Sequence, residues 1–168
     1  MTALRKLKPS DKTVLAQLLN NKKIWDNLRD AIPHPYHERD AENFIQFANS
    51  NPQQHIFAIT YRQELCGVIG LFVQGDVYKK SAEIGYWLGE PYWNKGIMSK
   101  AVKKMTTYGF KELKLVRIFT GVFDHNTASM KVLEKNGYKK EGIFKKAVFK
   151  NGKMYDEHRY YQLNKFNN

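Results

Sequence analysis

The residues best suited to chemistry lie at two junctions where an extended segment gives way to a helix. The first is "EPYWNKGIMSKAV" (90–102), in which a proline ends an apolar run, two aromatics follow, and Gly96 stands where a helix is about to begin. Backbone N–H groups at a helix start have no partner inside the helix, and the aligned peptide dipoles make that end positive. Such a junction suits an anion. Gly96 lets the backbone approach closely or take a positive φ, Ser99 can cap, and Lys95 adds charge. Many ordinary junctions share these features, and the segment is neither a Walker A loop nor a dinucleotide fingerprint. At the second junction Asn126 and Ser129 stand three apart, on one face of a helix start. They read either as an N-cap with a first-turn residue or as two groups facing the same groove as Gly96. Successive β-α units of one sheet place their helix starts at one edge, which permits the second reading.

Upstream of the first junction, "AEIGYWL" is almost wholly apolar, as expected of a strand buried on both faces. Its one charge is Glu83, and an ionised carboxylate there is costly unless paired or functional. Gly85 sits mid-strand, a frequent mark of a bulge or a close ligand approach. A strand splayed at that point would offer N–H and C=O groups to an amide-bearing ligand, as in strand addition.

These groups need a scaffold. "LRKLK" (4–8) alternates like an edge strand, Pro9 breaks it, and Ser10 can cap the helix "DKTVLAQLLN". "NKKIWDNLRD" continues as a second helical piece, and "ERDAENFIQFAN" (38–49) places Ala41, Phe44, Ile45 and Ala48 at helical spacing. "HIFAITY" (55–61) and "LCGVIGLFV" (65–73) form a hairpin around "RQE", and "SAEIGYWLG" (81–89) is the next strand. A helix over 97–113, a β-branched strand over 116–123 and a short helix over 126–137 follow. The chain closes with two long strands joined at "KNGK", where Asn-Gly favours a type I′ turn. The order β-α-α-β-β-β-α-β-α-β-β implies an α/β (α+β) fold, a mixed sheet with helices on both faces.

At 168 residues, 42% apolar and 14% aromatic, the chain reads as one globular domain over 1–168. Its one cysteine, Cys66, reads as a buried strand residue, excludes an internal disulfide framework and suits a reducing compartment. The N-terminus lacks an apolar signal region and no apolar run approaches the ~20 residues that span a bilayer, so a cytoplasmic protein with no membrane partner is expected. The formal charge is +12, and residues 100–153 hold 14 Lys/Arg against 4 Asp/Glu, a net +10. That third of the chain is either a solvated lysine-rich surface or a patch for an anionic cofactor, an acidic protein or RNA. The residues give no metal-ligand set, and no recognised nucleic-acid motif appears.

Together, "AEIGYWLGEPYWNKGIMSKAV" and "RIFTGVFDHNTASMKVLEKNGYKKEG" resemble the acetyl-CoA-binding core of the GNAT N-acetyltransferases, in the RimJ/RimL-type branch. The resemblance covers roughly residues 3 to 163. It implies a mostly antiparallel sheet of six to seven strands and transfer of an acetyl group from acetyl-CoA to a primary amine in a ternary complex, with CoA as product. The family's phosphate-binding pattern is Gln or Arg, two residues, Gly, one residue, then Gly or Ala. Here Trp93, Gly96 and Met98 hold those places, so the resemblance rests the phosphate contacts on the backbone of Asn94, Lys95, Gly96, Ile97, Met98 and Ser99. It places Tyr86, Trp87 and Leu88 along the pantetheine arm through their main chain, gives Asn126 a hydrogen bond to the cofactor, and sets Phe123 or Lys135 near the adenosine.

The same resemblance assigns the chemistry. An α-amine has a pKa of about 8 and a lysine amine about 10.4, so a base must help the amine attack the thioester. Glu83 matches the glutamate that serves as base in some members, against the alternative of a structural carboxylate, and its burial should raise its pKa. Ser129 matches a serine that protonates the leaving thiolate, and N–H groups near Trp87 suit the oxyanion. The acceptor site of the family is built from segments that correspond to "DAIPHPYHERD" and "KNGKMYDEHRYY". His34, Tyr36, His37, Glu83, Tyr155, Glu157, His158 and Tyr160 are therefore acceptor candidates. The acceptor is a protein N-terminal amine, such as a ribosomal protein's, or a small-molecule amine, and the positive surface argues mildly against polyamines. Nucleic acid is not expected as a substrate, and a homodimer is left open. The competing reading is a basic RNA- or ribosome-binding module with vestigial or regulatory acetyl-CoA binding.

Overall fold

Seven strands form one sheet in the order β1-β2-β3-β4-β5-β7-β6. The computed structural model describes residues 1–165 of the 168. Their elements fall into two compact units, one made of Met1–Gly70 with Tyr86–Ile97 and the other of Leu71–Gly85 with the described residues from Met98 onward.

In the first unit β1 (Thr2–Arg5) pairs antiparallel with β2 (Gln54–Tyr61), Thr2 opposite Tyr61. The strand starts earlier and stops sooner than the expected 4–8, because Arg5 is tied forward to Asp11. Its Nη1 and Nη2 donate to the two carboxylate oxygens at 2.7 and 2.8 Å, and Lys8 N donates to the same carboxylate at 2.8 Å. α1 (Lys12–Leu19) then buries Leu15, Ala16 and Leu19. The expected second helical piece is only the four-residue α2 (Lys22–Trp25), capped by Asn21, whose Oδ1 accepts from Lys23 N at 2.9 Å. Beyond it the Trp25 indole donates to Ile32 O at 2.8 Å and holds a looped course instead of a helix. α3 (Glu38–Ser50) buries Ala41, Ile45 and Ala48, and the Asp40 carboxylate accepts from His37 N at 2.8 Å at its start. β2 turns into β3 (Glu64–Val73) through Arg62 and Gln63, both left-handed at φ 52° and 72°, as a two-residue primed turn requires.

β4 (Ser81–Leu88) begins in the second unit, where it runs parallel to β5 (Arg117–Phe123) from Ser81–Arg117 to Glu83–Phe119. The burial pattern of β4 corrects the expectation of a strand covered on both faces: Ala82 and Ile84 are fully buried, whereas Glu83 and Gly85 are only half-buried. α4 (Ile97–Lys111) and α5 (Thr127–Lys135) follow the two junctions. β6 (Lys139–Lys150) and β7 (Lys153–Leu163) form the closing hairpin, with Asn151 and Gly152 left-handed at φ 52° and 74°. β7 pairs antiparallel with β5 from Arg117–Leu163 to Phe123–Glu157, and β6 forms the sheet edge. No described helix is long and apolar enough to cross a membrane.

Candidate active site

The first junction is shaped by its own hydrogen bonds. After β4 a helical turn at Glu90–Tyr92 redirects the chain, and the Trp93 indole reaches back to donate to Leu88 O at 2.7 Å. Trp87 and Leu88 are buried, which leaves only their main chain to offer a ligand, while Tyr86 is half-buried. Lys95 folds onto its own loop, with Nζ donating to Pro91 O at 2.7 Å and lying 5.8 Å from the Tyr92 ring centroid. Asn94 and Gly96 are both left-handed, at φ 59° and 68°. Asn94, Lys95 and Gly96 are exposed, and a Cβ added at Gly96 would meet nothing within 4 Å. The loop is therefore a bent backbone cradle with open space above its glycine, leading into a helix with no acidic residue in its first turn. Ile97 and Met98 turn their side chains into the interior.

Glu90 anchors this loop within the first unit. Asn21 Nδ2 and Lys23 Nζ donate to its two oxygens, each at 2.5 Å, which holds its carboxyl below the ordinary range. Sequence reasoning missed this anchor, because Asn21 and Glu90 are 69 residues apart and carry no local signal.

In the second unit Ser99 lies inside α4, not at its cap, and its Oγ accepts from Asn136 Nδ2 at 3.0 Å. Asn136 also donates to Val132 O, so the end of α5 is tied to the start of α4. Asn126 proves to be the N-cap of α5, its Oδ1 accepting from Ser129 N at 3.2 Å. The cap uses only the oxygen. The amide nitrogen has no partner among the described residues and is left to donate elsewhere. Ser129 and Phe123 are half-buried, and Lys135 is exposed in the last turn of α5.

The parallel ladder between β4 and β5 stops at Glu83, before Gly85. A Cβ at Gly85 would lie 3.2 Å from the Phe72 ring, so a larger residue there would have to displace that side chain. Glu83 is half-buried and shares a sheet face with its cross-strand partner Phe119.

Among the acceptor candidates, Tyr160 is fully buried and its hydroxyl donates to Glu134 Oε1 at 2.8 Å, which makes it a core residue. Burial and then Glu134 raise its pKa to about 12. Tyr36 is also buried, with backbone N and O both bonded to the Asn20 side chain, and burial lifts its pKa to about 12. Neither presents a hydroxyl to an acceptor surface. His34 is exposed and stacks on Trp25 with centroids 5.1 Å apart, and His37 is an exposed helix cap. Tyr155 lies edge-on to His125 at 4.8 Å, and His125 lies 6.0 Å from Phe123, forming an aromatic cluster at one end of β5 and β7. The half-buried His158 has an Nδ1 with no partner among the described residues.

Comparison with known proteins identifies the family and the fold. A model of the acetyltransferase (GNAT) domain matches residues 2–139. The putative ribosomal N-acetyltransferase YdaF of Bacillus subtilis is 32% identical over 167 residues, covering 95% of this chain and 89% of its own. The probable N-acetyltransferase YjcK of the same organism is 45% identical over 96 residues, 56% of this chain and 51% of its own, so the match spans about half the length of that curated relative. Among solved structures, RimL, a ribosomal alpha-N-protein acetyltransferase in complex with coenzyme A, superposes with a TM-score of 0.85 at 25% identity, covering 96% of this chain and 93% of that one.

Proposed function

The chain belongs to the GNAT acetyltransferase family, and from that premise we propose that it is a single acetyltransferase domain that moves the acetyl group of acetyl-CoA to a primary amine by direct attack. The observation that carries this reading is the loop Trp93–Ser99, where two left-handed residues precede a helix start and open space lies over Gly96. Acetyl-CoA supplies an activated thioester and a pyrophosphate of matching charge. The backbone of Asn94 to Ser99 holds the phosphates, and the main chain of Tyr86, Trp87 and Leu88 receives the pantetheine. The free amide N–H of Asn126 donates to the cofactor, held in orientation by the cap it makes with Ser129. Phe123 and Lys135 lie toward the adenosine.

Glu83 takes the proton of the attacking ammonium, directly or through water, and Ser129 returns one to the thiolate. The acceptor is a small amine or a protein N-terminus, the second in keeping with the names of YdaF and RimL. A cytoplasmic setting suits both acetyl-CoA and the buried free thiol of Cys66.

The test is a thermal-shift titration with acetyl-CoA against AMP and polyphosphate, followed by release of free CoA thiol with amines and N-terminal peptides. Ligand at ~100 times Kd adds roughly 2.7 kcal/mol to stability. A saturable rise specific to acetyl-CoA is expected, and an equal rise with polyphosphate would sink the reading. A second reading, an RNA- or ribosome-binding module, is favoured by the exposed Phe144 and Phe149 set among the lysines of β6. Salt-dependent RNA affinity without acetyl-CoA turnover would bring it forward.

A further inference from the structure

In the second unit, residues paired across strands share a face. Phe119 lies opposite Tyr161 and Glu83, Gly121 opposite Arg159, and Phe123 opposite Glu157, so all seven stand on one side of the sheet. The other side carries Ile118, Thr120, Val122 and Tyr160, all buried. Gly109 of α4 packs against Ile118, and Glu134 of α5 accepts from Tyr160. Both helices of this unit thus lie on that second side, and the Glu83 side keeps partial exposure.

On this exposed side the Glu157 carboxylate is held down on the strand. A Cβ at Gly121 would fall into it, 2.5 Å from Oε2 and 2.7 Å from Oε1, so the glycine is what gives the carboxylate its seat. Arg159 Nη1 donates to Oε1 at 2.8 Å. The guanidinium itself is held by two rings, 5.4 Å from the Phe119 centroid and 5.1 Å from that of Phe144. Oε2 has no donor among the described residues, and 15% of the Glu157 side chain remains accessible. An ordinary surface ion pair needs no glycine beneath it and no rings around its cation. This carboxylate is fixed with one oxygen left to accept from a ligand.

We propose that Glu157 is a specificity-determining residue that receives a second cationic nitrogen of the acceptor. The proposal rests on the reading of Glu83 as the group that meets the reacting amine. Phe119, beside Glu83, and Gly121, beneath Glu157, are one side-chain repeat apart, about 7 Å. That is the reach of a four- to five-carbon diamine, or of an amine with a nearby second charge. The overall +12 charge does not oppose this, since charges farther than about 8 Å are largely screened at physiological salt. On the face itself Glu83 and Glu157 stand with two guanidiniums, Arg159 on Oε1 of Glu157 and Arg117 over the Phe119 and Tyr161 rings, so a small cation gains chiefly from the Glu157 oxygen that Arg159 leaves open.

The test is calorimetric titration of CoA-loaded protein with butylamine, 1,4-diaminobutane and 1,5-diaminopentane, using wild type, Glu157→Gln and Glu157→Asp, with melting curves for each. Wild type should bind a diamine about tenfold more tightly than butylamine, as expected of a charge-assisted hydrogen bond. Glu157→Gln should lose that preference while keeping its affinity for butylamine and CoA, and Glu157→Asp should keep part of it. Wild type that binds CoA but shows no diamine preference, or Glu157→Gln that retains one, overturns the proposal alone. Wild type that binds no CoA removes the acetyl-transfer reading and the proposal with it.

Discussion

Gly96 separates the energetics of the fold from those of the ligand. At φ 68° any other L-residue is strained by roughly 1–2 kcal/mol, yet a Cβ there touches nothing in the protein. Gly96→Ala should therefore lower stability only by about that amount. Its effect on acetyl-CoA affinity should be larger, because the methyl group fills the space over the cradle. Melting curves and acetyl-CoA titrations on the same variant check this, and an unchanged Kd would put the phosphates elsewhere. Glu83→Gln bears on the chemistry: kcat should fall roughly 10²-fold with little change in KM for acetyl-CoA. An unaltered pH–rate profile in that variant would remove Glu83 from the mechanism. Both residues were legible in the sequence because each violates its local surroundings, a glycine at a helix start and a charge in an apolar strand. Gly121 and Arg159 were not, because what they do depends on a cross-strand register that no local pattern reveals.

At the scale of elements, turns and helix ends announced themselves through residues with local effects. Asn151-Gly152 gave the closing hairpin its turn and Asn126 its cap, each within a few residues of its partner. What stayed hidden were lengths decided by tertiary ties. β1 ends at Arg5 because its guanidinium is claimed by Asp11, and the helix after Asn21 stops at Trp25, whose indole is engaged by Ile32 O. Asp11 makes the first tie measurable. Burial alone would raise its pKa, but the Arg5 guanidinium and the Lys8 N–H outweigh it and leave the pKa lowered. Its contribution is thus fully present above the unfolded carboxylate value, about 3.9, and is lost as pH falls through the lower folded value. Asp11→Asn should cost roughly 1–3 kcal/mol near neutral pH and lose that cost in acid. Urea titrations of both proteins at several pH values decide it, and a cost that does not change with pH would mean that packing, not charge, ties β1 to α1.

At the scale of the whole molecule the question is what a net charge of +12 does for the proposed transfer, whose donor is an anion. The excess is concentrated in residues 100–153, which include most of α4 and all of α5 and β6. Steering by such a field acts on encounter, not on the seated complex, because contacts made by backbone N–H groups in the cradle are short-ranged. The association rate of acetyl-CoA should therefore fall about tenfold between about 0.05 M and about 0.5 M salt, with a dissociation rate that changes far less. Stopped-flow binding by the tryptophan signal, with Trp93 in the loop itself, reads both constants. If the lysines instead form the binding contacts, the dissociation rate will carry the salt dependence. A protein whose charge serves RNA will show little salt dependence in either rate for acetyl-CoA, together with a steep one for an RNA oligonucleotide. The relative salt slopes of the two ligands, measured on one preparation, thus assign the basic surface to the cofactor or to a polyanionic partner.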